Sequence, residues 1–490
     1  MVRPAARSVG DRLRRGLHDL VSQVCTERAA EASLHPGRHQ ELCAQFCATY
    51  RSQDRTERRD LIGHLAARYS FAKDDLSTAA RLLNSNSLEE QLDALQYAKL
   101  WESVKPRFCG LLEGVGQLEG GVKCLVDLRA DVLHELATLR KGKTTMGEAQ
   151  ANELRILDGA LKSMLEVRLC PGLLHLQRIT WETPAALLEK VALGEGVHPI
   201  RGWPDLKRRL GSYRRCFAFT HSAMPGEPLV VLHVALTPDI AANMGDIIGW
   251  RRMRLAPSDR PPEDGVDPEG AEGERRIGAA VFYSITSVQK GLQGIEMGNL
   301  MIKSVAKLLV AEFPTAQLEL STLSPIPGFR AWLLGQLTRE DYDESVFDSA
   351  ALGRIEKHVG RSIGEGALVE YGAQLARGDW LSSSESAAAQ EALLKLLCAK
   401  YIHGVKRRGF ALNPVANFHL KNGAELWRVN FLADTSSRGL SNSLSLMVNY
   451  RYRLERLEAN SRQYLTNKTI AVGKPARRTL AGDDLHKESF

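Results

Sequence analysis

The sequence predicts an α+β chain: an all-helical N-terminal bundle over residues 1–178, then a sheet-bearing domain with flanking helices over 179–490. Three observations carry this. Apolar residues recur at three- and four-residue spacing through the first part. The first β-rich runs, PLVVLHVAL (228–236) and RRIGAAVFYSI (275–285), come only after residue 180. Residues 284–329 then read as strand, glycine-rich loop, helix (about 295–312), strand (about 316–322) and a proline-bounded turn.

The helical elements come first. DLIGHLAARYSF, LEEQLDALQYAKLWESV and GGVKCLVDLRADVLHELATLRKG each carry an apolar stripe. In the last, Val122, Leu125, Val126, Leu128, Val132, Leu133 and Leu136 share a broad face flanked by charge. The text ATLRKGKTT ends like a phosphate loop, but Ala137 stands where the first glycine belongs and the preceding segment is helical. GVGQLEGG (114–121) has the wrong spacing for a dinucleotide fingerprint. In the second part, residues 256–276 are dense in proline, glycine and charge and predict an exposed loop. The basic text KRRLGSYRRCF (207–217) predicts a solvated surface, with phosphate contact as the alternative.

Composition narrows the function classes. At 490 residues the chain exceeds one ordinary core, so two domains are expected. Hydrophobic content of 44% and charged content of 25% are those of a globular protein. No apolar run of about 18 residues exists, so no membrane span is expected. The net charge of +7 suits a phosphate-bearing small ligand. Nucleic acid is not expected: 6% aromatic content and dispersed charge supply no stacking or groove-reading element. Eight scattered cysteines without a Cys-x-x-Cys pair argue against zinc ribbons and for a reducing compartment. A cytoplasmic location is expected, with a mitochondrial presequence as the alternative reading of the arginine-rich first 20 residues.

Four polar residues stand out. Ser324 follows an apolar strand and precedes two prolines and a glycine, which hold the backbone around its hydroxyl. His419 lies among apolar neighbours ahead of an Asn-Gly turn, and an imidazole with an ordinary pKa near 6.5 suits proton transfer. Glu296 opens a helix behind the glycine-rich QKGLQGIEMG (289–298), whose free N–H groups suit a pyrophosphate. Tyr452 shares a strand face with Tyr450, where core packing is the default.

Together, FYSITSVQKGLQGIEMG, STLSPIPGF, NPVANFHLKNGAELWRVN and LMVNYRY resemble the malonyl-CoA decarboxylase family. The resemblance extends to VDLRADVL and LKSMLE in the helical part and to VHPI and GSYRRCF before the strands. It implies a helical domain used in self-association, as a homotetramer, and a GNAT-like catalytic domain with a mixed sheet. It also implies decarboxylation of malonyl-CoA to acetyl-CoA. The family's acyl-CoA loop falls on Gln293, Gly294, Ile295, Glu296, Met297, Gly298 and Asn299. Its catalytic serine and histidine fall on Ser324 and His419, with Glu296 and Tyr452 in support, and Lys190 matches a lysine of importance in the family. No cofactor or metal is implied, because the thioester carbonyl is itself the electron sink. The competing readings are a GNAT-type acyltransferase and a non-catalytic acyl-CoA sensor.

Overall fold

The computed structural model describes residues 18–25, 36–70, 104–140, 147–248, 277–314, 317–339 and 341–483, with single positions between 77 and 101. Nearly all of the basic N-terminal stretch, most of the expected helix at 88–104 and the loop at 256–276 lie outside these residues.

The helical part contains α1 (Pro36–Ser52), α2 (Arg55–Tyr69), α3 (Phe108–Gln117), α4 (Gly121–Arg140) and α5 (Glu148–Arg168). Asp54 starts α2 with a capping box: its carboxylate accepts from Glu57 N, and the Glu57 carboxylate accepts from Asp54 N. On α4 the expected stripe is buried at Val122, Leu125, Val126, Leu128, Val132 and Leu136, with Leu133 half-buried.

The sheet begins with β1 (Leu174–Ile179), ahead of the division expected at 178/179. After α6 (Ala185–Gly194) and α7 (Trp203–Arg209) come β2 (Arg214–His221), β3 (Val230–Thr237) and β4 (Ala279–Ser287). Helix α8 (Gly298–Glu312) leads to β5 (Glu319–Thr322) and the two-residue β6 (Ser324–Pro325). Helices α9 (Phe329–Leu337), α10 (Ser349–Val359), α11 (Ala367–Arg377) and α12 (Ser384–Gly404) follow, then a small hairpin of β7 (Lys406–Arg407) and β8 (Phe410–Ala411). Helix α13 (Pro414–Lys421), β9 (Glu425–Asn430), α14 (Ser437–Ser443), β10 (Met447–Tyr452), α15 (Leu457–Asn467) and α16 (Lys474–Ala481) complete the described chain.

The sheet is mixed. β1 to β4 pair antiparallel in sequence order, β4 pairs parallel with β5, and β10 lies antiparallel to β5, β6 and β9. The parallel pairing ends at Phe282 and Thr322, while β4 stays paired to β3 as far as Ser287. Past that point β4 and β5 part. The register of β3 against β4 shifts between His233 and Val234, which puts a bulge into β4 at Tyr283, where the parting begins.

Part of the basic segment is interior rather than solvated. Arg209 pairs with Asp205, Arg215 with Glu312, and Arg214 donates to the Ile247 carbonyl; all three are buried. Among the described residues no helix is long and apolar enough to cross a membrane.

Candidate active site

Ser324 is fixed by its strand. In β6, Ser324 faces Val448 and Pro325 faces Met447 of β10, so the expected turn is a short paired strand that turns only after it. Proline at position 325 removes an N–H, which a sheet tolerates at such a short edge segment. The Ser324 hydroxyl donates to Thr322 Oγ1 at 2.9 Å, and Thr322 Oγ1 also accepts the Tyr450 N–H at 3.1 Å.

His419 sits in the last turn of α13. Asn413 starts that helix, its Oδ1 accepting from the N–H groups of Val415 and Ala416 at 3.1 and 3.0 Å, with a proline at the first helical position. The other end of the same carboxamide donates to the Pro327 carbonyl at 3.1 Å. One residue thus caps the histidine helix and holds the turn that follows the serine.

The two segments meet. His419 Nε2 lies 3.0 Å from Ser324 Oγ, and His419 Nδ1 lies 2.7 Å from Tyr452 Oη. The Tyr450 ring stacks on the imidazole at 4.7 Å and 23°. Ser324, His419 and Tyr452 are 5%, 3% and 3% exposed. The donors follow from the network. The serine proton is given to Thr322, so the Ser324 oxygen accepts from His419 Nε2–H, and Nδ1 accepts from Tyr452 Oη–H. Burial alone pushes the His419 pKa down to about 3, so the imidazole is neutral at physiological pH. This departs from the ordinary titration expected from sequence. Burial likewise keeps the Tyr452 phenol protonated.

The glycine-rich loop lies alongside. Gly294 adopts φ +80°, a conformation open to glycine, and α8 then starts at Gly298 without a side-chain cap. The first N–H groups of α8, on Gly298, Asn299 and Leu300, have no carbonyl one turn back. Asn299 Oδ1 is buried without a partner, Met297 is buried, Ile295 is half-buried, and Gln293, Gly294 and Glu296 are exposed. A Cβ on Gly298 would lie 2.9 Å from Phe418 Cζ. The helix start therefore rests against the residue next to His419.

Ser324, His419 and Tyr452 are joined, and the loop reaches them through Gly298. Glu296 is not joined: among the described residues no hydrogen bond or ion pair links it to the three. Lys190 is also apart from them. It pairs with Glu227 at 2.6 Å and donates to the Gly226 carbonyl, and Glu227 in turn accepts from Gln289 at the head of the loop. Sequence reasoning missed Thr322 and Asn413. An Asn-Pro pair at a helix start was signal enough for Asn413, whereas nothing local marks Thr322.

Residues 172–489 match the family model for the malonyl-CoA decarboxylase C-terminal domain, and residues 69–167 match that for the N-terminal domain. A mitochondrial malonyl-CoA decarboxylase of Mus musculus is 38% identical over 484 residues, covering 96% of this chain and 90% of that protein. The one from Anser anser anser is 40% identical, covering 88% and 81%. Crystal structures of malonyl-CoA decarboxylases from Rhodopseudomonas palustris and Agrobacterium vitis superpose with TM-scores of 0.76 and 0.73, at 30% and 27% identity, each covering 95% of this chain and 99% of the other. The chain belongs to the malonyl-CoA decarboxylase family.

Proposed function

We propose that the chain converts malonyl-CoA to acetyl-CoA and CO2 through a thioester enolate, with Ser324 and His419 at the reacting end and residues 293–299 on the coenzyme. The observation that carries this is the buried Ser324–His419–Tyr452 line beside an uncapped helix N-terminus.

The C–CO2 bond must stand perpendicular to the thioester plane, so that its electron pair enters the carbonyl as CO2 leaves. When substrate binds, the Ser324 hydroxyl turns its proton from Thr322 Oγ1 to the carboxylate and fixes it in that attitude. A neutral His419 suits the step. An imidazolium would pair with the carboxylate and stabilise the ground state, in which the charge has yet to move. The enolate then takes a proton at its α-carbon from His419 Nε2, and Tyr452 Oη–H, already bonded to Nδ1, makes up the loss before solvent restores the phenol. Backbone N–H groups serve the developing oxyanion. Apolar neighbours Phe418 and Ile326 keep water from the carboxylate. Glu296 acts, in this reading, after the loop closes on substrate, as an orienting group. The electron sink is the thioester, so the reading calls for no cofactor.

The parting of β4 and β5, followed by a helix with free N–H groups, supports a GNAT-like site for the pantetheine arm and pyrophosphate. We assign catalysis to residues 179–490 and self-association, as a homotetramer, to the helical residues 1–178; light scattering on the purified chain tests the latter. The mitochondrial names of the relatives favour a mitochondrial location over a cytoplasmic one, which N-terminal sequencing of the mature protein tests. The function itself is tested by incubating the chain with malonyl-CoA, without cofactor or amine acceptor. Equal amounts of CO2 and acetyl-CoA are expected. Malonyl-CoA left intact, together with transfer of the acetyl group of acetyl-CoA to an amine in a parallel incubation, would point to an acyltransferase, and binding of malonyl-CoA without turnover to a sensor.

A further inference from the structure

Arg129 lies in the VDLRADVL segment of α4, in the helical part, and is 2% exposed. A guanidinium is buried this deeply only where its donors find acceptors. Its Nε donates to Asp158 Oδ1 of α5 at 2.8 Å. Its Nη1 donates to the carbonyl of Gly291 at 2.6 Å, across 162 residues of sequence. Gly291 is the first glycine of the loop that leads to α8. A Cβ there would lie 1.9 Å from the Val126 carbonyl oxygen, so the loop rests directly on the α4 backbone. Val126 and Arg129 are one turn apart on the same face of α4. Leu292, the next residue of the loop, is 1% exposed and shares a hydrophobic cluster with Leu125 and Val126. One helix face thus supplies the surface that the loop lies on, the close contact that demands glycine, and the charged donor that holds the loop's carbonyl.

We infer that Arg129, oriented by Asp158, is a positioning residue for the acyl-CoA loop. Its bond to Gly291 sets the bend from which the loop reaches Gly298 and Asn299, whose free N–H groups at the start of α8 face the coenzyme phosphates. The inference rests on the reading of 293–299 as the acyl-CoA loop. It gives the helical part a share in substrate affinity that self-association alone does not. Chemistry at Ser324 and His419 is served by other elements, so losing Arg129 weakens binding of the coenzyme and leaves the bond-breaking step close to intact.

The test uses the full chain and three variants: Arg129→Gln, Arg129→Lys and, in the loop itself, Gly294→Val. Binding of free CoA is measured by calorimetry, and kcat and KM with malonyl-CoA. A charge-assisted bond lost from a buried loop predicts about a tenfold or greater rise in KM and in the CoA dissociation constant for Arg129→Gln. The kcat is expected to stay within about threefold, the split that separates binding from chemistry. Arg129→Lys, which keeps a charged donor, is expected to recover part of the loss. If Gly294→Val weakens CoA binding and Arg129→Gln does not, the inference is overturned and the loop reading stands. If neither weakens it, the loop reading fails and the inference with it. A fall in kcat at unchanged KM for Arg129→Gln also overturns it. Should Arg129→Gln not fold, Asp158→Asn decides: weaker CoA binding supports the inference, and unchanged binding overturns it.

Discussion

Burial holds His419 neutral, and neutral oxygens engage both of its ring nitrogens, Ser324 on one side and Tyr452 on the other. Among the described residues no carboxylate is bonded to the ring as it would be in a hydrolase triad, so the acid of the proposed mechanism is an uncharged imidazole backed by a phenol. Removing that phenol in Tyr452→Phe leaves Nδ1 without its donor, and kcat is expected to fall about tenfold with KM unchanged. Steady-state kinetics with malonyl-CoA check this, and an unaltered kcat would remove Tyr452 from the relay. A second consequence concerns pH. With a pKa of about 3 in the free protein, His419 does not titrate between pH 8 and 5. The kcat/KM profile is therefore expected to lack any inflection near 6.5 over that range. A rise in kcat/KM toward acid with an apparent pKa of 6 to 7 would mean that the imidazolium is the working form. Ser324 and His419 were singled out in the sequence, the resemblance implied their roles, and the structure brings their side chains together. The charge state was not legible, because it depends on burial by residues from α13, β6 and β10 that are far apart in the chain.

Among the elements, α8 and α13 are the two that join binding and chemistry in the proposed mechanism. They touch where Gly298 meets Phe418. A methyl group added in Gly298→Ala would crowd the Phe418 ring, beside His419, and disturb the start of α8, where the proposed mechanism places the coenzyme. Both a higher KM and a lower kcat are expected, each by about threefold to tenfold. If only one parameter moved, the contact would not couple the two functions. The order of strand, loop, helix and strand around α8 was readable because the apolar period changes there from two to about four residues. β1 was not: LHLQRI alternates only over its first four residues and carries exposed polar side chains along an edge strand, too short a signal to separate it from the helix before it. Thr322 was hidden for a different reason. Its hydroxyl matters because β10 brings the Tyr450 N–H to it across 128 residues, a pairing that no local pattern encodes.

Across the whole molecule, one hydrophobic cluster runs from Phe46 and Val126 in the helical part through Leu292 to Met301, Leu420 and Tyr452. The sequence divides near residue 178, yet the buried interior does not, since α4 packs under the loop at Gly291 and Leu292. Buried histidines give the folded chain a pH signature. His419 and His233 are held down to about 3 and about 4, chiefly by burial, and His198 is lowered as well. His419 and His233 stay neutral when folded down to about pH 4 and bind a proton when unfolded below about 6.5, so their contribution is full above that pH and is lost as pH falls toward 4, with His198 acting in the same direction. The melting temperature is expected to drop between pH 7.5 and 5, and calorimetry at both values checks it; a constant value would contradict the buried, uncharged assignment. The most direct test of the site is turnover of malonyl-CoA by the parent chain and by folded His419→Asn. The account predicts stoichiometric CO2 and acetyl-CoA from the parent and a kcat lower by about 10² or more in the variant. Near-normal turnover by folded His419→Asn would contradict it.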